Sequence, residues 1–273
     1  MPRPRMLIIE GLPGRDRIAL AQAVGLQYEA HGIDARCPAA TEKGHPLRRS
    51  WDSNGYDDAN SFAHTLVHQW ENFAIRAEAD AVPWICAGVW LDAPRTLAAE
   101  GMLDVAGAAA LAAELFDALA PLEPCLVYLG GRDSDEVGDA AFAGLQAHRT
   151  LLNGARLTAT ERVDEVLAVL GMSRREISLA PNLATRIAGR YGGQAQQLVL
   201  QPTADTLTLT GLPAELGRSR PLLPAPNGRF VVAGVDLELR VDLDNKGAAR
   251  GLLVDASEPA LADWPVFLEW EAS

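Results

Sequence analysis

The chain has 273 residues, 48% hydrophobic and 22% charged, a globular composition long enough for one large domain or two modest ones. Its formal net charge of −12 excludes nucleic acid and anionic membrane surfaces as expected partners, because both demand a basic footprint. An anionic small molecule stays open, since local positive charge can override the global field.

Near the N-terminus only Met6 to Ile9 form a clearly apolar run, far too short for a signal-peptide core or a membrane span. Cys37, Cys86 and Cys125 are odd in number and lack zinc spacing. Cys86 and Cys125 sit in apolar runs and read as buried thiols. The expected location is therefore a reducing cytoplasm.

In chain order, Met6 to Glu10 predicts a short strand, broken by Gly11-Leu12-Pro13-Gly14 and followed by a helix from Arg17 to Ala30. Ile33 to Arg36 reads as a second short strand, leading into a polar loop around 42–56. Phe62, Leu66, Trp70, Phe73 and Ala77 then recur on one face of a long helix. Val82 to Trp90 and Pro124 to Leu129 have buried-strand length, with a helix at Ala106 to Leu119 between them. Two further helices are expected at Asp139 to Leu151 and Thr160 to Leu170. Apolar strands alternating with helices predict a parallel sheet covered on both faces.

The texture changes after Pro181. Short alternating runs at Leu207-Thr-Leu-Thr, Arg229 to Ala233, Asp236 to Asp242 and Gly251 to Asp255 are separated by turn signals, notably Pro226-Asn227-Gly228 and Asp244-Asn245-Lys246-Gly247. They predict an antiparallel β-rich module, so the expected domains are 1–180 and 181–273. Trp264, Phe267 and Trp270 are expected to dock the tail onto one of them.

A strand, a Gly-rich turn and a helix form the geometry in which backbone N–H groups cradle a phosphate. The turn here, Gly11-Leu-Pro-Gly14-Arg15-Asp16-Arg17-Ile18, resembles the kinase-type P-loop Gly-Leu-Pro-Gly-Ser-Gly-Lys-Ser, aligned without a gap. The resemblance implies a three-layer α/β domain of P-loop kinase type over roughly Met6 to Leu179. Three defining positions differ. Arg17 stands at the lysine position and keeps its charge but not its compact shape. Ile18 replaces the hydroxyl that would hold Mg²⁺. Asp16 replaces a glycine and puts a carboxylate beside the cradle, where a like charge at ~4 Å costs about 1 kcal/mol in water and about 4 at intermediate dielectric.

Further segments are similar to bacterial nucleoside- and nucleotide-kinase-like proteins: Glu42 to His45-Pro46, Gln69-Trp-Glu-Asn-Phe73 and Pro124-Cys-Leu-Val-Tyr-Leu129. Such kinases commonly carry an acid near the end of the third strand. Here Ile85-Cys-Ala-Gly-Val-Trp90 has none before Asp92. Their lids tend to supply arginines, whereas Gly130-Gly-Arg-Asp-Ser-Asp-Glu136 is mainly acidic. Gly11, Gly14, Arg15 and Arg17 are thus the expected ligand-binding residues, with His45 and Asp92 as candidate catalytic groups. The alternative for the two arginines is a surface cluster neutralised by Asp16. For Asp92 it is positioning of the Pro94 segment.

His64, His68 and Glu71 have helical metal-ligand spacing, but they lie opposite the apolar stripe and read as a solvated face. No G-x-S-x-G elbow is present. Asp242-Leu-Asp-Asn-Lys-Gly247 lacks the ligand spacing of a calcium loop and fits a hairpin better. No metal or cofactor is expected. Gly189-Arg-Tyr-Gly-Gly193, Pro221-Leu-Leu-Pro224 and Val241 to Gly247 resemble the β-module appended to some serine hydrolases, a half-barrel that covers an active site. That module would roof the cleft, make the contact of a homo-oligomer, or serve stability alone.

Three functions follow from this reading. The favoured one is a repurposed P-loop kinase-like small-molecule enzyme or binder without Mg-ATP phosphoryl transfer; the Ala/Arg-rich composition fits bacterial specialised metabolism. The alternatives are an ATP-dependent small-molecule or nucleoside kinase using Arg17, and a non-enzymatic pseudokinase acting through protein contacts.

Overall fold

A computed structural model describes residues 4–11, 15–38, 45–48, 58–80, 82–130, 135–145, 149–153, 159–177, 179, 182–192, 196–203 and 206–271. Gly14 and the segments 42–44 and 131–134 lie outside these residues, as does the side chain of Arg15. The chain divides into two compact units. One comprises Met1–Gly25 and Asp34–Arg174, the other Leu26–Ile33 and Arg175–Ser273. A boundary at 180/181 read along the chain cannot capture this division, because Leu26–Ile33 belongs with the later unit.

The first unit is built on a four-stranded parallel sheet. Its strands are β1 (Met6–Gly11), β2 (Trp84–Ala87), β3 (Pro124–Gly130) and β4 (Arg149–Asn153), in the order β2-β1-β3-β4. The second strand expected at Ile33 to Arg36 reduces to one parallel bridge, Arg36 to Trp84, beyond β2. Around the sheet run α1 (Arg15–Ala30), α2 (Ala59–Ala79), α3 (Asp92–Ala99), α4 (Val105–Asp117), α5 (Glu136–Gly144) and α6 (Ala159–Val169). Asp58 starts α2 by accepting the Ser61 N–H at 2.7 Å. The expected stripe Phe62, Leu66, Trp70, Phe73 and Ala77 is buried against Met6, Ile8, Trp84, Cys86 and Leu126. Each such large side chain contributes about 1.5–3 kcal/mol on burial. The opposite sheet face, with Leu7, Ile9, Ile85 and Val127, is equally buried. Such two-sided burial is why these strands are apolar throughout.

Two expectations need correction. The predicted helix from Asp139 to Leu151 divides into α5, which ends at Gly144, and the strand β4. β4 takes its register from the exposed edge of β3, with Leu126 opposite Arg149 and Gly130 opposite Asn153; pairing to an open edge overrides a local helical pattern. The segment from Asp92 to Ala99, given no element by the sequence, is α3.

The second unit contains α7 (Leu183–Ile187) and eight antiparallel strands: β5 (Gly189–Gly192), β6 (Gln197–Pro202), β7 (Leu207–Thr210), β8 (Ser219–Pro224), β9 (Arg229–Val232), β10 (Leu237–Leu243), β11 (Ala249–Ala256) and β12 (Phe267–Glu271). They close into a barrel in the order β10-β11-β12-β5-β6-β7-β8-β9, not the half-barrel of the resemblance. Closure removes both edges. Its interior is filled by alternate residues such as Tyr191, Leu198, Leu200, Leu209, Phe230, Leu239 and Leu252. The expected tail is the strand β12, and Trp270 packs edge-on against Tyr191 at 5.1 Å between ring centroids. Asp244 shapes the β10–β11 hairpin, its Oδ1 accepting the N–H groups of Lys246 and Ala248 at 2.8 Å each. Among the described residues no helix is long and apolar enough to cross a membrane.

Candidate functional site

The strand order places β1 between β2 and β3, so the chain leaves β1 toward one side of the sheet and later returns to the other. In open α/β sheets such a switch point opens a crevice at the carboxyl ends of the strands. At that end of β1 stands Glu10, whose side chain has no solvent exposure. A buried carboxylate is tolerated only with full compensation. Glu10 has it. Its Oε1 accepts from Gly11 N–H at 3.2 Å, from Arg95 Nη1 at 3.3 Å and from Arg17 Nη1. Its Oε2 accepts the backbone N–H groups of Trp90 at 3.1 Å and Leu91 at 3.3 Å, at the start of α3, where a helix favours an anion.

Arg95 carries the network onward. Its Nη2 donates to the Gly11 carbonyl at 2.7 Å and to Asp135, while Nε reaches Asp135 Oδ1 at 3.3 Å. Asp135 caps α5 through the Gly138 N–H at 3.0 Å and accepts the Tyr128 hydroxyl at 2.6 Å. Burial works against the Asp135 carboxylate, but the hydrogen bonds from Arg95 and Tyr128 outweigh it and hold its pKa below the ordinary value. Burial likewise opposes the charge on Arg95, and Asp135 and Glu10 more than restore it. Burial and the bond to Asp135 push the Tyr128 hydroxyl up.

The glycines in this region have spatial reasons. A Cβ at Gly11 would lie 2.6 Å from the Leu129 carbonyl oxygen, so β1 and β3 approach closely there. Gly88, at φ +66°, seats Arg17: a Cβ would lie 2.8 Å from its guanidinium carbon. Gly88→Ala is therefore expected to cost about 2 kcal/mol, from left-handed backbone strain and displacement of Arg17. Urea denaturation measures it, and a loss below about 0.5 kcal/mol would count against this role.

The expected site residues separate. Arg17 is turned inward onto Glu10 and the Gly11 carbonyl. Asp16 does not neutralise it: that carboxylate is 80% exposed and faces Arg162 at 3.6 Å. Successive helical residues point about 100° apart, which sends the two in different directions. Asp92 opens α3 and pairs with Arg48 at 3.0 Å. His45 is buried, with Nδ1 accepting the Leu47 N–H at 3.2 Å. Its turn is pinned to α2 by Gln69 on the Pro46 carbonyl at 2.8 Å and Trp70 on the Leu47 carbonyl at 2.9 Å. Burial and the Arg48 charge lower the His45 pKa to about 4. Arg48 thus connects the two candidate catalytic residues.

Glu10, Arg95, Tyr128 and Asp135 were missed by the sequence reading. A glutamate ending an apolar strand beside a Gly-rich turn was the signal available for Glu10. On the long helix, His68 pairs with Glu71 at 3.0 Å, both exposed. No group of three or more metal-ligating side chains occurs among the described residues. Ile18 has no oxygen ligand to offer, and the Glu10 carboxylate is occupied by N–H donors.

No family model matches the chain, and no curated protein does. Among solved structures, an APS kinase of Mycobacterium tuberculosis in complex with AMPPNP and APS is similar at 16% identity and a TM-score of 0.35, covering 63% of this chain and 99% of that one. The likeness is loose, and the fold described above rests on its own strand order.

Proposed function

We propose that the first unit is a P-loop kinase-like scaffold turned to binding or transforming a small molecule, without Mg-ATP phosphoryl transfer. The carrying observation is the state of Arg17. The side chain at the lysine position already has its charge balanced by the buried Glu10 carboxylate. A phosphate at Arg17 would meet a charge already shared with Glu10, and drawing Arg17 off that carboxylate is costly for a buried pair. Ile18 supplies no oxygen in place of the missing metal ligand, and the Asp16 carboxylate faces Arg162 at 3.6 Å. Among the described residues, His45, Arg48 and Asp92 are polar groups able to act on a ligand, with His45 suited to donate a hydrogen bond as a neutral ring.

Millimolar Mg-ATP is expected to leave the melting temperature unchanged and to yield no ADP. A ligand at 100 times its dissociation constant stabilises by ~2.7 kcal/mol, a shift of roughly 5–10 °C for a protein of this size. A shift that large, together with ADP formation, would show a working kinase instead.

A further inference from the structure

We propose that the second unit carries a binding site of its own, for an amino-acid-type zwitterion with an apolar body, whose carboxylate meets Arg240 and whose ammonium meets Asp255. It does not depend on the function proposed for the first unit. The site is a groove of about 450 Å³ on the outer wall of the barrel, between β10–β11 and the segment from Leu261 to Val266. That is a size typical of small-molecule sites. Alternation along the strands sorts its lining: Leu239 and Val254 are buried, and Arg240, Leu253 and Asp255 stand on the outer face.

The charges of the groove are unevenly answered. Arg229 donates from Nη1 to Glu238 at 2.7 Å and from Nη2 to both oxygens of Glu29, at 2.6 and 2.7 Å. Its guanidinium is thereby occupied, and so is Glu238. Arg240 and Asp255 form no ion pair or side-chain hydrogen bond among the described residues. Arg240 lies opposite Leu253 and Asp255 opposite Glu238, which makes the two diagonal neighbours, about 7–8 Å apart. Such a gap holds a group bearing both charges, with a hydrogen bond of about 3 Å at each end. Beside them Val266 is 71% and Leu253 40% exposed, and Trp264 is half-buried. These three form an apolar wall for the body of the ligand. A pure anion would satisfy Arg240 but face Asp255 and Glu238, and a pure cation would satisfy Asp255 but face Arg240. A zwitterion answers both and leaves the Arg229 pairs intact.

The test uses the intact ¹⁵N-labelled chain at neutral pH, following the Trp264 indole N–H and the backbone N–H groups of Val254 to Ala256 by NMR. It is titrated separately with L-phenylalanine, phenethylamine and 3-phenylpropionate, which share an apolar body and carry both charges, only the cation and only the anion. Phenylalanine is expected to move these signals saturably, and the other two to bind at least about fivefold more weakly. Arg240→Gln and Asp255→Asn, both at exposed positions, are each expected to weaken phenylalanine binding by a similar factor. The lack of a saturable phenylalanine shift overturns the proposal, as does a smaller preference over either probe or unchanged binding in either variant. Shifts of the same signals with protein concentration alone would also overturn it, since a second copy would then cover the groove.

Discussion

Replacing Glu10 by alanine is expected to cost about 3–5 kcal/mol of stability, a large share of the ~5–15 kcal/mol typical of a domain. The side chain is fully buried, and its two oxygens accept from two arginines and three backbone N–H groups. Removing it leaves Arg17 and Arg95 partly uncompensated, and the N–H groups of Gly11, Trp90 and Leu91 lose their acceptor. Urea denaturation followed by tryptophan fluorescence reads the effect as a lower midpoint at unchanged slope. Glu10→Gln preserves the shape but removes the charge, and is expected to cost less. Removing both charges, as Glu10→Gln with Arg17→Gln, is expected to cost less than the sum of the single changes, since neither is then left unpaired. A single-variant loss below about 1 kcal/mol would mean that the network is not a structural centre of this unit.

The second large effect is on pH. The fold holds His45 at about 4, against an ordinary value of 6.5, through burial and the neighbouring Arg48 charge. Between those values the unfolded chain binds a proton that the folded chain refuses. This stabilising contribution is therefore present above pH 6.5 and is lost progressively as the pH falls toward 4. The loss is about 3 kcal/mol over that window. Asp135, held below its ordinary value of 3.8, gives up its contribution only at still lower pH. Stability curves from pH 7.5 to 4 should flatten in His45→Gln relative to the unaltered chain. Equal slopes in the two proteins would remove His45 as the cause.

Both effects arise where sequence reading stops. The pattern of apolar residues made most of the scaffold legible. The stripe from Phe62 to Ala77 is the buried face of α2, and the runs beginning at Met6 and Pro124 are strands β1 and β3. The turn signals at Pro226-Asn-Gly228 and Asp244 to Gly247 lie between strands of the barrel, as local backbone chemistry demands. Periodicity records which face is buried, and turn residues record where the chain reverses. Both are local properties.

Barrel closure, the strand identity of β4 and the inclusion of Leu26–Ile33 in the second unit are not local; they depend on which edges meet. The site is the extreme case. Gly11, Arg17, His45 and Asp92 were visible by residue type and motif. Their partners were not, because Arg95 lies 85 positions from Glu10 and Asp135 a further 40 beyond Arg95. Read alone, Arg17 is a free cation awaiting an anion. Folded against Glu10, the same side chain has its charge answered by a buried carboxylate, while Arg95 is answered by Asp135 together with Glu10. Local patterning thus carries the layered scaffold, whereas the partners of Arg17 come from the fold, because the compensation of a buried charge depends on residues that only tertiary structure brings together.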